Sequence, residues 1–537
     1  MFTPSYLPYR QTNAFSSIAL DYIDGEQILK DFYQHPPSSA GIDAAIKARQ
    51  AFPTDRGLLA DYLTEQYDHI DSSLTQEKIE SLRLDNTFTI TTAHQPNIFT
   101  GHLYFVYKIL HAIKLADKLT ADYPQYNFVP VYYMGSEDAD LEELGQVYIN
   151  GEHHRWQTNQ TGAVGRMKID NAFIELIALI EGQLAVEPFG AAIMGKVKSA
   201  YRIGNTIEQA TFEFVHGLFA EYGLVVFLPD HDSPKRAFNQ LIRKELETQF
   251  SSKAVQETVA ALPARYKVQA AGRDINLFYL QEGSRERIEA AGKGWTLPDA
   301  SKTWTKEELL AELEAQPKNF SANVILRPVF QELVLPNIAF IGGGGELAYW
   351  LELKKVFEAA GVPYPVLLLR NSFLLVDTFT GSKIAALGFT PADFFKPINE
   401  LLAIIIKRHS SIALDLGQQR EALGNLYNSI GDLATAADPT LKAHTQALFV
   451  AAEKRVRQLE KKMYKAEKKR FEAQQRQLEK IKDKLYPDAV LQERIENLLP
   501  WYAKFGPDFI AALYQHSLSL EQEFCIMEEA VSNQLTS

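Results

Sequence analysis

Several polar side chains capable of binding anions or moving protons lie close together in the sequence AHQPNIFTGHLY, residues 93–104. Imidazole and amide groups suit that chemistry, and glycine permits close backbone approach to a ligand. We predict a ligand-binding loop here, with two candidate catalytic residues, His94 and His102. The expected binding residues are Gln95, Asn97, Thr100, Gly101 and Tyr104. The alternative is that Thr100 is only a helix N-cap and that both histidines are ordinary polar loop residues.

A second polar cluster, SEDADLEE, follows the apolar run FVPVYYMG. Carboxylates at this position could bind an ammonium group, or Mg²⁺ carried in on a nucleotide. Glu137 and Asp138 follow the apolar run most closely and are therefore the candidate catalytic residues, with Ser136 as a binding residue. Glu142 and Glu143 are expected to face solvent.

Four consecutive glycines stand between an apolar run and a helix in the sequence FIGGGGELAYW. Residues without Cβ let backbone N–H groups surround a phosphate or carboxylate, and arginines at nearby predicted strand ends complete a pocket for an anion. The segment lacks the spacing and lysine of a Walker loop, and a tight packing turn is the alternative. The expected binding residues of this region are Arg327, Gln331, Gly342, Gly343, Gly344, Gly345, Glu346, Tyr349, Trp350 and Arg370.

The elements that must position these residues are short apolar runs that alternate with helices, a pattern typical of an α/β fold with a parallel sheet. The predicted strands include TFTITTAH, which ends near His94, FVPVYYMG, which ends near Met134, and NVILRP. Ligands bind beyond the carboxyl ends of such strands, so the polar segments are expected to meet at one sheet edge. We predict a core over residues 87–385, with connecting insertions at about 150–222 and 250–320. Residues 1–86 are expected to form a helical segment packed on this core.

Residues 386–537 are predicted to be helical and to contain an antiparallel coiled-coil hairpin. Apolar residues recur at seven-residue spacing from Leu416 to Leu433, and a second seam runs from Phe449 to Leu485 with one slip. Residues 453–484 contain 13 basic and 6 acidic side chains. A solvated coiled-coil face explains this charge better than nucleic-acid binding, because the seam accounts for the spacing.

Composition and charge exclude several classes of protein. The 537-residue chain has a net charge of −12, which argues against a nucleic-acid binder, and it has no apolar run long enough to cross a bilayer. The amino terminus lacks the pattern of a secretory signal, so a cytoplasmic location is expected. Cys525 is the only cysteine and is predicted to lie in an acidic C-terminal helix. No protein-held metal, no multi-thiolate zinc site and no thiolate nucleophile are therefore expected.

Long motifs in a fixed order resemble the cysteine ligases of bacillithiol biosynthesis, the BshC family. They are TAHQPNIFTGHLYFVYK, VPVYYMGSEDADLEEL, INLFYLQEGSRERI, FIGGGGELAYWLELKKVFEAAGVPYPVLLLRNS and LQERIENLLPWYAKFG. The resemblance implies a Rossmann-like core similar to that of cysteinyl-tRNA synthetases and a coiled coil that forms a homodimer. It also implies a ligase that joins cysteine to the amino group of glucosaminyl malate. ATP or ADP would be the nucleotide, with Mg²⁺ bound only together with it.

The resemblance differs in strength from one motif to the next. Family members carry T-G-Q-Q and T-G-P-L-Y around the first loop, so His94 and His102 depart from the family pattern, whereas the glycine loop and Ser136 to Asp138 match it. Arg494 and Trp501 are implied to hold a nucleotide in a second pocket, and the alternative is a helix packed on the core. Two other functions compete with the ligase: a non-catalytic dimeric ligand-binding scaffold, and a nucleotidyl transferase acting on another small acid.

Overall fold

The structure, a computed structural model, describes residues 2–270, 272–298, 300–410 and 415–530. The chain forms two compact units. Unit 1 combines Met1–Leu375 with Val490–Ser537, and unit 2 is the continuous segment Val376–Ala489. The predicted helical region 386–537 is therefore divided, since its last part folds with the α/β unit.

The described strands lie in unit 1, apart from the last residue of β15. They are β1 (Phe2–Pro8), β2 (Thr87–His94), β3 (Asn127–Met134), β4 (Gln146–Ile149), β5 (Glu152–Arg155), β6 (Val225–Phe227), β7 (Leu277–Gln281), β8 (Ser284–Arg287), β9 (Glu289–Ala291), β10 (Gly294–Thr296), β11 (Thr303–Trp304), β12 (Phe320–Ala322), β13 (Asn337–Gly342), β14 (Val366–Leu369), β15 (Phe373–Val376) and β16 (Glu523–Glu529).

The helices are found in both units. They are α1 (Ser17–Ile23), α2 (Ser39–Gln50), α3 (Arg56–Gln66), α4 (Ser73–Ser81), α5 (Leu103–Asp122), α6 (Leu141–Leu144), α7 (Asn171–Leu184), α8 (Gly190–Ala200), α9 (Ile207–Phe219), α10 (Asp232–Arg236), α11 (Asn239–Thr248), α12 (Phe250–Ala261), α13 (Lys306–Ala315), α14 (Leu326–Val334), α15 (Gly344–Leu351), α16 (Lys354–Ala360), α17 (Thr378–Ala386), α18 (Ile398–His409), α19 (Gly417–Ala437), α20 (Leu441–Lys468), α21 (Glu472–Leu485), α22 (Leu498–Phe505) and α23 (Pro507–His516).

A five-stranded parallel sheet of order β14-β13-β2-β3-β6 forms the centre of unit 1. Every residue of β2 is buried, as expected of a strand covered on both faces. β2 ends at His94 and β3 ends at Met134, as predicted, and β13 and β14 end at Gly342 and Leu369. These parallel strands therefore bring the predicted polar segments to one edge of the sheet.

Two parts of unit 1 differ from the predicted secondary structure. The run NVILRP, read as a strand, lies at the start of helix α14, so Arg327 and Gln331 are helical. Pro328 is tolerated there because the first turn of a helix leaves its N–H groups unpaired. The chain also begins with a strand, because β1 pairs antiparallel with β16, and Cys525 lies in β16 and not in a helix. The continuous apolar run from Phe524 to Met527 is buried and is consistent with a strand that is covered on both faces.

Two segments were predicted to be insertions into the core, at about residues 150–222 and 250–320. Residues 150–222 contain strand β5, which pairs with β4, and helices α7 to α9. Residues 250–320 contain α12 and α13 and strands of two small antiparallel sheets, β12-β7-β8 and β11-β10-β9. In the first of these sheets, β7 and β8 form a tight hairpin with Gln281 opposite Ser284.

Helices α19 and α20 of unit 2 form the predicted antiparallel hairpin, but the second arm is shorter than predicted. It ends at Lys468, and the later part of the predicted seam, up to Leu485, lies in the separate helix α21. The N–H of Leu416 donates to the Glu460 carboxylate at 3.1 Å, and the rings of Tyr427 and Phe449 lie 5.8 Å apart. Part of the predicted seam does not face the paired arm, since Leu426 is 56% exposed and Leu433 is 73% exposed. Two helices bury only one stripe each, so these leucines remain on the outer surface. Across the residues that the structure describes, no helix combines the length and the apolar character needed to span a membrane.

Candidate active site

A cavity of about 660 Å³ lies at the carboxyl edge of the parallel sheet, entirely within unit 1. It brings together residues from all of the predicted polar segments. The predicted residues that line it are His94, Gln95, Tyr104, Glu137, Asp138, Arg327, Gly343, Gly344, Gly345, Glu346, Tyr349, Arg370 and Arg494. Arg494, which was assigned to a second pocket, therefore belongs to the same cavity as the sheet-edge residues.

Four predicted residues of the first loop lie outside the cavity wall: Asn97, Thr100, Gly101 and His102. They shape the loop. Phe99 and Thr100 have φ values of 52° and 71°, a conformation that side chains rarely adopt. The amide of Asn497 donates to the carbonyls of Phe99, at 2.9 Å, and of Gly101. The ring of His102 forms a 3.1 Å hydrogen bond to the carbonyl of Ile495. The C-terminal segment thus holds the strained loop in place.

The other predicted residues outside the wall are in the core: Ser136, Gln331, Gly342, Trp350 and Trp501. The Trp350 ring stacks on Phe340 at 4.3 Å, and the Trp501 ring stacks on Phe509 at 5.6 Å, so neither is placed to stack on a ligand in this cavity. Trp501 therefore lies on a helix that packs on the core, which was the alternative to its predicted role in nucleotide binding.

His94 provides an uncharged imidazole to the cavity. Its Nε2 atom is buried and has no hydrogen-bond partner among the described residues. Burial holds the pKa of His94 well below its ordinary value, and the positive charges of Lys108 and Arg370 act in the same direction. A neutral imidazole with a free nitrogen can accept a proton or a hydrogen bond from a ligand. The hydroxyl of Tyr133, which also lines the cavity, is likewise buried without a partner in the described part of the chain.

Lys108 on α5 links the helix to the glycine loop, a role that the sequence did not indicate. Its ammonium group is paired with the Glu346 carboxylate and donates to the carbonyl of Ala93 at 3.0 Å. The same carboxylate accepts a 2.8 Å hydrogen bond from the N–H of Gly343. Burial lowers the pKa of Lys108, and Glu346 opposes that effect. The Glu346 carboxylate thus occupies one of the loop N–H groups predicted to hold a ligand anion.

Arg370 lies at the end of β14, as predicted, and is held by a carboxylate from the C-terminal segment. It forms two hydrogen bonds to Glu493, at 3.0 and 2.7 Å, and both side chains are buried. The Nε atom of Arg370 has no partner among the residues described, and its guanidinium lies 5.1 Å from the Tyr104 ring centroid. Arg370 therefore presents a fixed positive group to the cavity.

Glu137 is held by a buried charge network. Its carboxylate lies 2.5 Å from Lys235, which also lies 2.8 Å from Asp230. Asp230 pairs in turn with Arg166 at 2.6 Å. Burial alone would lower the pKa of Lys235, but the two carboxylates raise it overall, so Lys235 is charged. Asp138 is held as well, because it accepts from Gln95 at 3.2 Å and from the N–H of Ala139 at 2.7 Å.

Positive side chains outnumber carboxylates in the cavity wall. Seven cations line it: Lys108, Arg273, Arg285, Arg287, Arg327, Arg370 and Arg494. Four carboxylates line it: Glu137, Asp138, Glu143 and Glu346. Glu143 is exposed, as predicted, but it lies at the rim of the cavity. Such a cavity suits a ligand with several negative charges, such as a carboxylic acid or a nucleotide phosphate.

The described residues contain no group of three His, Cys, Asp or Glu side chains arranged to hold a metal ion. The thiol of Cys525 is buried in β16, and burial raises its pKa to about 12. Arg327 and Arg494 line the cavity, and neither has a carboxylate at ion-pair distance within the described ranges, so both guanidinium groups could bind a phosphate. Another cavity, of about 330 Å³, is lined by residues such as His35 and Tyr364 and includes neither Arg494 nor Trp501.

Comparison with known proteins agrees with this architecture. The family model described as Bacillithiol biosynthesis BshC, N-terminal Rossmann-like domain, matches residues 3–371, and the model of the BshC C-terminal coiled-coil domain matches residues 373–529. A protein of Flavobacterium johnsoniae named "Putative cysteine ligase BshC" is 36% identical over 97% of this chain and 99% of its own length. Proteins of the same name from Christiangramia forsetii and Flavobacterium psychrophilum are 35% and 34% identical over 97% and 98% of this chain, and over 98% and 99% of their own.

Proposed function

The chain belongs to the BshC family of bacillithiol biosynthesis, and from this premise we propose that it is a cytoplasmic cysteine ligase. The reaction joins the carboxyl group of cysteine to the amino group of glucosaminyl malate and forms an amide. The observation that carries this proposal is the cationic cavity at the sheet edge. Both substrates bear carboxylates, and the cavity offers guanidinium and ammonium groups to hold them.

The carboxylate of cysteine must be activated, because an amide does not form readily from a free carboxylate in water. We propose that ATP is the co-substrate, that Mg²⁺ enters with it, and that the cysteine carboxylate attacks the α-phosphate and releases pyrophosphate. The sugar amine then attacks the carbonyl carbon of the adenylate, so that a C–N bond forms and AMP leaves. Arg494, at the cavity wall, is the candidate phosphate contact.

The residues of the cavity would assist the second step. The attacking nitrogen must lose a proton, and the free Nε2 of neutral His94 is placed to accept it. Negative charge develops on the carbonyl oxygen, and Lys108 and Arg370, each held by a carboxylate, both lie near the Tyr104 ring, where they could donate to that oxygen. The carboxylates of Glu137 and Asp138 would attract the ammonium form of the sugar before it reacts.

We further propose that the protein acts as a homodimer through unit 2. Leu426 and Leu433 form an apolar stripe on the outer surface of the hairpin, and a second copy of the hairpin would remove it from water. Leu459 on α20 is also 53% exposed.

Substrate omission tests the proposed reaction. Purified protein is mixed with cysteine, glucosaminyl malate, ATP and Mg²⁺, and the amide is sought by mass spectrometry together with AMP and pyrophosphate. The ligase requires all three substrates for amide formation. Pyrophosphate release without dependence on glucosaminyl malate would support a nucleotidyl transferase. Ligand binding with no product under varied nucleotide and metal conditions would support a non-catalytic scaffold. The variant His94→Ala should retain substrate binding and lose most of the amide-forming rate.

A further inference from the structure

The hairpin of β7 and β8 places two arginines and a phenylalanine on one face. Arg285 and Arg287 are two residues apart on β8, and Phe278 lies directly opposite Arg287. The guanidinium carbons of Arg285 and Arg287 lie 4.0 and 5.8 Å from the centroid of the Phe278 ring. All three side chains line the cavity. The ring therefore supports both guanidinium groups on the cavity side of the hairpin.

Neither arginine has a carboxylate within ion-pair distance in the part of the chain that the structure describes. Arg285 donates to the hydroxyl of Ser321 and to the carbonyl of Ala322, each at 3.3 Å, and both acceptors are neutral. The nearest carboxylates in the cavity are already engaged, since Glu137 is paired with Lys235. Burial lowers the pKa of Arg285 even though Glu137 and Asp138 act in the opposite direction. Two partly buried guanidinium groups thus lack a carboxylate in direct contact within the described residues.

The spacing of the two arginines fits a ligand with two negative groups. Alternate residues of a strand lie roughly 7 Å apart on the same face, so each guanidinium can hold its own carboxylate when two carboxylates are joined by a short carbon chain. The malyl end of the proposed sugar substrate has two carboxylates in this arrangement. A positively charged sugar amine would be repelled from the hairpin and directed toward Glu137 and His94, where the reaction is proposed to occur.

We propose that Arg285 and Arg287, supported by Phe278, form the subsite that binds the dicarboxylate end of the sugar substrate. This inference rests on the proposed function for the identity of the substrate. It makes both arginines specificity-determining residues that act in binding and not in the chemical step. The hairpin of β7 and β8 belongs to the insertion at about residues 250–320. The insertion would therefore determine specificity for the sugar substrate, and the residues at the edge of the parallel sheet would carry out the reaction.

Binding of L-malate to the full chain, measured by calorimetry without cysteine or ATP, tests the subsite separately from catalysis. Arg285→Gln and Arg287→Gln should each weaken malate binding by about tenfold, the effect of losing one charge-assisted contact. Arg155→Gln, at an exposed position of β5, is the matched control and should leave the affinity unchanged. Lactate, with one carboxylate, should bind more weakly than malate to the wild type and should lose less affinity in each variant.

The alternative is that Arg285 and Arg287 bind a phosphate group, and binding of pyrophosphate to the same variants tests this alternative. Loss of pyrophosphate binding in the two variants with unchanged malate binding would overturn the proposal, as would failure of malate to bind the wild-type protein. If Arg285→Gln unfolds, the variant Arg285→Lys replaces it in the test, because lysine keeps the positive charge but not the two-pronged hydrogen bonding of the guanidinium group. An intermediate loss of malate affinity with an unchanged thermal transition would then support the subsite.

Steady-state kinetics separates this inference from the proposed function. If amide formation is observed, both glutamine variants should raise the KM for glucosaminyl malate and leave the KM for cysteine and the kcat near wild type. Amide formation with an unchanged KM for glucosaminyl malate would refute the subsite and leave the ligase standing. Malate binding that depends on both arginines, without amide formation, would refute the ligase and leave a dicarboxylate site.

Discussion

His111 on α5 is held in one protonation state by its two hydrogen bonds, and this makes the stability of unit 1 depend on pH. Its Nδ1 accepts from the N–H of Asn371 at 3.2 Å, and its Nε2 faces the carbonyl of Ser519 at 2.7 Å. Only the neutral ring with hydrogen on Nε2 satisfies both partners. Burial lowers the pKa of His111 to about 4, while the hydrogen bond to Ser519 opposes the shift.

The sign and size of the effect follow from this pKa. In the unfolded chain the imidazole binds a proton at about pH 6.5, so between pH 6.5 and 4 the unfolded state holds more protons than the folded state. The contribution of His111 to the free energy of unfolding is therefore intact above pH 6.5 and is lost as the pH falls to about 4. A difference of about 2.5 pH units corresponds to about 3 kcal/mol.

The variant His111→Gln removes the titrating group. It should be less stable than the wild type at pH 7.5, because hydrogen bonds are lost, and this deficit should shrink by about 3 kcal/mol when the pH falls to 4. Urea unfolding followed by tryptophan fluorescence measures it, since all five tryptophans lie in the segments that form unit 1. His69→Gln, at an exposed position, is the control. A deficit that stays constant from pH 7.5 to 4 would refute the claim that the fold keeps His111 neutral.

Three further sets of substitutions test the cavity and the hairpin of α19 and α20. A Cβ at Gly345 would meet no atom within 4 Å, so the variant Gly345→Val should fold normally. Its side chain should fill part of the cavity and lower kcat/KM for amide formation at least tenfold. An unchanged kcat/KM would show that the glycine loop is not part of the site. The variant Lys108→Met leaves the Glu346 carboxylate without its cation and should lower the free energy of unfolding by about 3 kcal/mol in urea titrations. The double variant with Glu346→Gln should recover part of that loss. Additive effects of these two changes would contradict direct coupling. Leu426→Asp with Leu433→Asp should produce monomers of unchanged helicity in sedimentation velocity, whereas an unshifted sedimentation coefficient would exclude this stripe as the dimer contact.

The parallel sheet and the position of the cavity could be predicted from the sequence because the signals are local. The apolar run TFTITTAH ends at His94 and the run FVPVYYM ends at Met134, and the strands end at the same residues. Parallel pairing then requires the following loops to meet at one edge. The sequence therefore predicts that His94, Glu137 and the glycine loop meet at one edge of the sheet, and in the structure they line one cavity there.

The remaining parts of the site depend on contacts between residues distant in the chain. Arg370 finds its carboxylate 123 positions later, at Glu493, and no local pattern indicates that pair. The sequence predicted no role for Arg285 and Arg287, because only the pairing of β7 with β8 brings them to the cavity. The run VILRPVF misled the strand prediction because β-branched and apolar residues also occur in buried helices such as α14.

The division of unit 1 into two stretches of chain affects how the protein can mature during translation. The segment after Val490 leaves the ribosome only when the whole of unit 2 has already been synthesised. Until then Arg370 lacks Glu493, His111 lacks the carbonyl of Ser519, and β1 lacks its neighbour β16. A nascent chain that stops before this segment would carry the complete parallel sheet and no finished pocket. Competence to bind substrates is therefore acquired only after unit 2 has been synthesised and the segment that begins at Val490 has joined unit 1.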